Sequence, residues 1–352
     1  MSDFIIHAEH LTKRFTLGAG FFAKNDRFVY AVNDVSFGIE RGKTYGLVGE
    51  SGCGKTTTAK ILVGMYRADG GEVWYGPDLP GALPLCGRAI RGSASAPLPE
   101  ATAYAAPAIS SASRRNILTF SRQELRSYRE RVKYVFQDPS RSLNPRLTVF
   151  NILTAGYRYS SFWPGKKIAY EQAARIMEEV GLDPLDLEKR PSEFSGGQRQ
   201  RISIARAMIM RPDVMFCDEV VSALDVSVQS QILNLLQDIR EKHGLSFLFI
   251  AHDLRVSCYF CDTIGVMYRG LLVEEAPARD LYRTAFHPYT RLLFADSGEK
   301  KSSAQGEVRT SLESLRACPF VHRCPHAAQK CRDEIPQWKE IAPGHKVRCV
   351  LE

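Results

Sequence analysis

Residues 49–56, GESGCGKT, form a glycine-rich stretch that could hold nucleotide phosphates, and we call it the phosphate loop. Its glycines let backbone N–H groups curl around the β- and γ-phosphates, and the start of the next helix adds positive potential. Lys55 would supply a cation to the phosphates, and Thr56 would offer its hydroxyl to Mg²⁺. A plain glycine-rich turn is the alternative, but the flanking strand and helix patterns favour a nucleotide site. The residues expected to contact the cofactor are Gly49, Glu50, Ser51, Gly52, Cys53, Gly54, Lys55, Thr56 and Thr57.

Two adjacent acids, Asp218 and Glu219, follow the apolar run at residues 214–217. A carboxylate at a strand end can hold Mg²⁺ through its water shell, which suits Asp218. Glu219 can orient or deprotonate an attacking water. Two acids in a solvated turn are the alternative. Because the same chain carries a phosphate loop, the pair favours Mg²⁺-dependent ATP hydrolysis.

A second glycine pair lies in FSGGQRQR at residues 194–201, where apolar spacing predicts a helix. Ser195 is a suitable helix cap, and Gly196 and Gly197 leave the first N–H groups open to a phosphate. An ordinary capped helix needs no such glycine pair. One chain cannot easily aim two anion-binding ends at the same phosphates. The combination therefore suggests two chains that share nucleotides between them.

The elements that must position these residues alternate between strands and helices. Short apolar runs predict strands, and apolar residues at helical spacing predict helices. This alternation indicates an α/β fold with a mainly parallel central sheet. The predicted strands are residues 5–8, 30–39, 44–48, 132–136, 214–217 and 247–251, the predicted helices are residues 166–181, 196–210 and 228–240, and a strand pair is expected at residues 262–275 around Arg269 and Gly270.

Composition narrows the classes of function. The net charge of +8 is spread without a run of five basic residues, so no nucleic-acid partner is expected. No apolar run approaches the roughly 18 residues of a membrane helix. The first 15 residues lack the pattern of a secretory signal. These features predict a cytosolic chain that reaches a membrane only through a partner.

One segment has no expected place in the core. Residues 93–113 contain 16 Ala, Ser or Pro out of 21. Such a composition predicts a flexible surface insertion, and a docking peptide is the alternative.

The ordered set of motifs resembles the ATP-binding cassette (ABC) ATPases. The phosphate loop, FSGGQ, the acidic strand end, SALD at residues 222–225 and AHD at residues 251–253 come in that family's order. The resemblance implies a RecA-like core with an antiparallel β subdomain and a helical subdomain at about residues 140–210. It covers an ATPase domain of residues 1–290, with the insertion at about residues 77–120. It also implies a head-to-tail dimer, with each ATP between two chains.

The same resemblance implies individual roles. Gln137 would sense Mg²⁺ and the attacking water, and His252 would contact the γ-phosphate beside the base Glu219. Phe15 matches the base-stacking position best, and Tyr30 is the alternative. The implied Mg²⁺ residues are Thr56, Gln137 and Asp218, and the implied partner-facing residues are Ser195, Gly196, Gly197, Gln198 and Asp225.

Two departures from the family pattern lie near these residues. Val220 and Val221 stand where the family usually has Pro-Thr, and Phe194 replaces a common Leu. Because both acids are present, hydrolysis is expected to be retained, with a different turn into residues 222–225.

Several segments are similar to the oligopeptide/dipeptide importer branch of this family. They are FQDP at residues 136–139, SLNP at residues 142–145, HPYT at residues 287–290 and the tail, residues 291–352. Tails of that branch carry four cysteines that have been linked to a [4Fe–4S] cluster. Four thiolates suit a cluster or zinc, and the spacing lacks the paired knuckles usual for zinc. Free or disulfide-bonded thiols are the third alternative. The cysteines are Cys318, Cys324, Cys331 and Cys349.

The resemblance implies the ATP-hydrolysing subunit of an importer of peptides or similar small solutes. Its expected partners are a second, similar ATPase chain, two transmembrane permease subunits and an extracytoplasmic solute-binding protein. The expected location is the cytoplasmic face of the cell membrane. One rival is a soluble ABC ATPase of a carbon–phosphorus lyase complex. Another acts on nucleic acid or ribosomes, and it would need a second cassette or a long coiled coil.

Overall fold

The structure is a computed structural model that describes residues 3–17, 27–76, 114–160, 163–296 and 317–351. The strands of these ranges are β1 (Phe4–Leu17), β2 (Arg27–Glu40), β3 (Thr44–Val48), β4 (Gly70–Tyr75), β5 (Arg115–Asn116), β6 (Val132–Val135), β7 (Val214–Asp218), β8 (Ser246–Ala251), β9 (Thr263–Tyr268), β10 (Leu271–Pro277), β11 (Lys339–Ala342) and β12 (His345–Val347). The helices are α1 (Lys55–Leu62), α2 (Arg122–Arg131), α3 (Pro139–Ser142), α4 (Val149–Thr154), α5 (Lys166–Glu179), α6 (Gly196–Met208), α7 (Val226–His243), α8 (Leu254–Phe260), α9 (Ala278–Thr284), α10 (Pro288–Asp296) and α11 (Gln329–Asp333).

The larger sheet has eight strands in the order β11-β12-β10-β9-β3-β8-β7-β6. Strands β9, β3, β8, β7 and β6 pair with one another in parallel, which confirms the predicted parallel core. Val48 lies opposite Ala251, and Asp218 lies opposite Ile250. The carboxyl ends of β3, β6, β7 and β8 therefore meet at one edge, where ligands of open α/β sheets bind.

Alternate residues of the central strands face two separate cores. Met215 and Cys217 of β7 belong to one core, with side chains of α4, α5 and α6. Val214 and Phe216 belong to the other, with side chains of β1, β2 and α1. Side chains of a strand point to opposite faces with a period of two. Because both faces are covered, the central strands are continuous apolar runs in the sequence.

Strands β1, β2, β4 and β5 form the antiparallel sheet that the family resemblance predicted, in the order β2-β1-β4-β5. Strand β1 is longer than the predicted residues 5–8. Strand β5 pairs with Trp74 and Tyr75 of β4. Residues 115 and 116, placed in the insertion by the sequence, thus contribute to this sheet, and residues 114 and 117–120 flank them. The rest of that segment, residues 77–113, lies outside the described residues.

Helices α3 to α6 connect β6 to β7 and form the helical subdomain. Helix α6 begins where the capping signal predicted. The backbone N–H of Gln198 donates to Ser195 Oγ at 3.3 Å, and the backbone N–H of Ser195 donates to Gln198 Oε1 at 2.9 Å. This reciprocal capping box satisfies donors that the first helical turn leaves unpaired.

Residues with left-handed backbone end helix α7 and form the turn between β9 and β10. Gly244 follows α7 with φ of +64°, and the helix is longer at both ends than the predicted residues 228–240. Arg269 and Gly270 have φ of +46° and +84° and form the predicted two-residue turn.

The end of the tail completes the central sheet. Strand β12 pairs with β10, and β11 pairs with β12. His345 Nε2 lies 2.7 Å from an oxygen of the buried Glu274 on β10. The prediction of a separate small extension from residue 291 is therefore not confirmed. Residues 297–316 of the predicted tail lie outside the described residues.

Candidate functional site

The phosphate loop connects β3 to α1 with backbone that requires glycine. Gly54 has φ of +112°, and a Cβ there would lie 2.0 Å from the carbonyl oxygen of Ala31. The side chain of Lys55 turns back into the loop. Its ammonium donates to the carbonyl oxygens of Gly49 at 2.7 Å and Glu50 at 2.9 Å. The loop thus holds the Lys55 ammonium against its own backbone carbonyls.

A hydroxyl and a carboxylate meet beside the loop. Thr56 Oγ1 donates to Asp218 Oδ1 at 3.1 Å, and the hydroxyl of Tyr134 donates to Asp218 Oδ2 at 2.5 Å. Burial and the adjacent Asp218 carboxylate raise the pKa of Tyr134 well above its ordinary value, so the phenol stays a donor. Oxygen ligands of this kind suit Mg²⁺. The sequence did not single out Tyr134, because it appears there only as an aromatic residue of an apolar strand.

Glu219 lies at the centre of the three side chains predicted to be catalytic. Gln137 Nε2 donates to Glu219 Oε2 at 2.7 Å. His252 Nδ1 lies 3.9 Å from the same oxygen. The backbone of Glu219 has φ of +48°, a left-handed conformation that is uncommon for a residue other than glycine. Its N–H is fixed to the carbonyl oxygen of Ile250 at 2.9 Å. The hydrogen bond to β8 therefore holds Glu219 in a strained backbone conformation, and this conformation fixes the direction of its carboxylate.

The residues predicted to face a partner chain lie on the surface. Ser195, Gly196, Gln198 and Asp225 are exposed, and Gly197 is half-buried. Asp225 precedes α7, and its side chain makes no capping hydrogen bond. The surface is thus open to a second molecule.

Gly197 has a packing role that the sequence did not predict. A Cβ at this position would lie 2.7 Å from Cγ1 of Val228 on α7. At Gly196 the nearest atom to such a Cβ is Leu224 Cδ2 at 4.0 Å. Only the second glycine is therefore required by the contact between α6 and α7.

The two candidate base-stacking aromatics differ in exposure. Phe15 of β1 is 40% exposed, and its ring meets Tyr66 edge-on at 6.0 Å between centroids. The ammonium of Lys13 lies 5.6 Å from the Phe15 ring. Tyr30 of β2 is half-buried. Phe15 thus presents the more accessible ring.

The unusual Val220 and Val221 are both buried. Ser222 closes the turn that follows Glu219. Its backbone N–H and its hydroxyl both donate to the carbonyl oxygen of Glu219, at 3.1 and 2.9 Å. The missing Pro-Thr pair is therefore replaced by an apolar turn that leaves the acids in place.

The four tail cysteines line one cavity. Phe320, Val321 and Val350 also line it, and all four cysteines are free thiols. Burial raises the pKa of Cys318 to about 11. Across the described part of the chain, no group of three or more His, Cys, Asp or Glu side chains is arranged to hold a metal ion. The structure therefore does not confirm the predicted iron–sulfur cluster.

Two residues outside the predicted site hold the phosphate loop. The guanidinium of Arg323 donates to both carboxylate oxygens of Glu50, at 3.0 and 2.9 Å. The backbone N–H of Glu50 donates to the hydroxyl of Tyr289 at 2.8 Å. Tyr289 belongs to the HPYT segment, which carried only a family resemblance. Arg323 belongs to the tail, which likewise carried only that resemblance, and no role was predicted for it.

Three features together define an ATP-binding cassette ATPase. They are the phosphate loop after β3, the acid pair at the end of β7 and the exposed pair of glycines at the start of α6. The family model of the ABC transporters matches residues 32–222, more than half of the chain. This chain belongs to that family. A second model, the C-terminal region of oligopeptide/dipeptide transporters, matches residues 273–331.

Curated relatives match over almost the whole chain. A probable peptide ABC transporter ATP-binding protein of Sinorhizobium fredii is 37% identical over 99% of this chain and 90% of the relative. The oligopeptide transport ATP-binding proteins AppF and OppF of Bacillus subtilis are 34% and 37% identical. Both matches cover 99% of this chain and 97% of the relative.

Solved structures agree on the fold. A dimeric ATP-binding cassette in a post-hydrolysis state, bound to ADP and Pi, aligns with a TM-score of 0.58 and 22% identity, over 78% of this chain and 99% of that one. The cbiO1 protein of Clostridium perfringens aligns with a TM-score of 0.59 and 18% identity, over 84% and 100%. Such low identities support the fold alone.

Proposed function

We propose that this chain is the ATP-hydrolysing subunit of an importer of peptides or similar small solutes. The Gln137–Glu219–His252 cluster, beside the Thr56–Asp218 pair, is the observation that carries the ATPase. The importer branch rests on the family match of residues 273–331 and on relatives named for peptide or oligopeptide transport. Those names do not favour a carbon–phosphorus lyase complex.

Binding of ATP is assigned to the phosphate loop and α1. Backbone N–H groups of the loop surround the phosphates, and Lys55 neutralises part of their charge. Thr56 and Asp218 would hold Mg²⁺, which supplies charge stabilisation to the phosphates during transfer. Phe15 stacks on the base. Tyr134 keeps the Asp218 carboxylate turned toward Thr56.

Activation of water is assigned to Glu219. Its carboxylate accepts a proton from the attacking water or orients it for in-line attack. Gln137 fixes one carboxylate oxygen by its hydrogen bond. His252, 3.9 Å from the same oxygen at the neighbouring strand end, would contact the γ-phosphate. Most of the rate gain would come from positioning and charge stabilisation.

The nucleotide site becomes complete in a dimer. Ser195, Gly197 and Gln198 would contact the ATP held by the phosphate loop of a second cassette, and Asp225 would lie at the same interface. The exposure of this surface supports the assignment. The second cassette is proposed to be a similar but non-identical chain.

Coupling to transport needs partners that cross the membrane. No helix in the described ranges is long and apolar enough to span a bilayer. We assign the translocation path to two permease subunits and solute capture to an extracytoplasmic binding protein. The chain would then act at the cytoplasmic face of the cell membrane.

Copurification in detergent tests the transport role. The tagged full chain should bring down two multi-span membrane subunits and a second cassette, and the complex should hydrolyse ATP faster when a peptide-loaded binding protein is added. Recovery with soluble enzyme subunits alone would contradict the proposal and favour the lyase-type complex.

We further propose that the cysteine cavity holds a [4Fe–4S] cluster. Its support is the donor set, four thiols around one partly apolar cavity. Protein purified without oxygen should show visible absorption with iron and acid-labile sulfide. Zinc without iron would contradict the cluster.

A further inference from the structure

The cysteine-rich segment is in direct contact with the phosphate loop. Arg323 immediately precedes Cys324 and makes the two-pronged ion pair with Glu50, the second residue of the loop. A bidentate guanidinium–carboxylate pair fixes both distance and orientation. The pair joins residues 273 positions apart in the sequence.

Several aromatic rings hold Arg323 in place. Its guanidinium carbon lies 5.6 Å from the Phe320 ring centre and 5.9 Å from that of Tyr268. Tyr289 packs against both rings and accepts the hydrogen bond from the backbone of Glu50. Tyr289, at the end of the predicted ATPase domain, thus fixes the main chain of Glu50, and Arg323 of the tail fixes its side chain.

Glu50 connects this arginine to the phosphate-binding cation. Its carboxylate accepts from Arg323, and its carbonyl oxygen accepts from the ammonium of Lys55. A carboxylate without a partner in this loop would repel the phosphates of ATP. The Arg323 guanidinium compensates that charge.

A parallel arrangement occurs at another cysteine of the cavity. Arg348 immediately precedes Cys349, lies over Trp338 and donates to Asp34 of β2 at 2.7 Å. This second pair joins the tail to the antiparallel sheet and not to the phosphate loop. It therefore offers a matched control for the first.

We propose that Arg323 is a positioning residue for the phosphate loop and that the four-cysteine cavity sets nucleotide affinity through it. The cavity that Cys324 lines holds the adjacent Arg323 against Glu50. By linkage, nucleotide binding then stabilises this arrangement of the cavity to the same extent. The inference requires ATP binding by the phosphate loop, but it does not require peptide import.

The test measures the dissociation constant of a fluorescent ATP analogue with Mg²⁺ on the purified full chain. Arg323→Ala should weaken binding by about tenfold, a coupling typical of contacting charged residues. In a Glu50→Gln background the same substitution should change binding by less than about twofold, because no carboxylate is left to compensate. Arg323→Lys should give an intermediate value, since it restores the charge without the two-pronged geometry.

Controls separate positioning from general damage. Arg348→Ala should lower the melting temperature without changing nucleotide affinity. Equal losses from Arg323→Ala in both Glu50 backgrounds would overturn the positioning role. Lys55→Ala should weaken analogue binding severely, and unchanged binding there would instead remove the nucleotide assignment itself.

The cavity is tested with Cys324→Ser and Cys349→Ser. Both should weaken analogue binding as Arg323→Ala does, and neither should do so in the Glu50→Gln background. Thermal unfolding shows whether the two variants are folded. If both are folded and their affinity is unchanged, the link between the cavity and the phosphate loop is overturned.

Discussion

The side chains of Gln137 and Glu219 are joined by a hydrogen bond of 2.7 Å, although 82 residues separate them in the sequence. The bond forms because β6 and β7 are adjacent and parallel, with Val135 opposite Cys217. It fixes one oxygen of the carboxylate that we assign as the base.

Replacement of Glu219 by Gln should separate binding from hydrolysis. The amide keeps the size of the side chain but cannot accept a proton. We expect phosphate release to fall at least about 100-fold, while affinity for an ATP analogue stays within about threefold. The exposed Glu241→Gln on α7 is the matched control and should leave both unchanged. Near-normal hydrolysis by Glu219→Gln would contradict the assignment of Glu219 as the base.

Replacement of Ser195 by Arg should impair the ATP that a partner chain holds. A long cation at this exposed helix start blocks the approach of the second phosphate loop and removes the capping hydroxyl. Turnover by the assembled complex should drop at least about tenfold, while the isolated chain binds the analogue normally. Ser192→Arg, also exposed and nearby, should have little effect. A comparable loss of affinity in the isolated chain would argue against a shared site.

The two glycines that begin α6 should respond differently to alanine. Gly197→Ala pushes a methyl group against Val228 and should lower the free energy of unfolding by about 1–3 kcal/mol. Gly196→Ala meets only Leu224 Cδ2 at 4.0 Å, an ordinary contact, and should cost less. Val228→Ala should recover part of the Gly197→Ala loss by making room. The measurement is chemical denaturation of Gly196→Ala, Gly197→Ala, Val228→Ala and the Gly197→Ala/Val228→Ala double variant, and equal effects at both glycines would refute the packing role.

The buried Glu274 should give stability that depends on pH. Burial alone would raise its pKa, but hydrogen bonds from His345 and from the backbone N–H groups of Phe286 and His287 outweigh burial and lower it. A carboxyl with a lowered folded-state pKa adds stability above its unfolded value, and that stability disappears as pH falls through the folded pKa. Glu274→Gln should therefore cost about 3 kcal/mol at pH 7, and the cost should shrink below about pH 4.5.

The adjacent Glu275 provides the matched control for that experiment. Burial raises the pKa of Glu275, whose carboxylate accepts from the hydroxyl of Tyr45. A raised folded-state pKa favours folding at low pH, the opposite sign to Glu274. Glu275→Gln resembles the protonated acid, so it should cost less at pH 7. Parallel pH profiles for the two variants, from urea unfolding, would contradict the opposite environments of the two side chains.

Much of the cassette could be predicted because its signals are local. The phosphate loop, the Ser195 capping box and the Arg269–Gly270 turn each depend on backbone conformations that a few adjacent residues determine. The apolar runs of β3, β7 and β8 identified the parallel core, since strands covered on both faces need continuous apolar sequence. The ends of these strands then indicated where the acids lie.

The sequence by itself determined the class of protein, the phosphate loop and the candidate catalytic side chains. The tertiary structure decided which of them touch: Tyr134 with Asp218, and Arg323 with Glu50. It also showed that the end of the tail adds strands to the main sheet. These contacts have no local signature, because they depend on strand order and on the docking of segments up to 273 residues apart. Only the folded chain brings such charges within hydrogen-bonding distance.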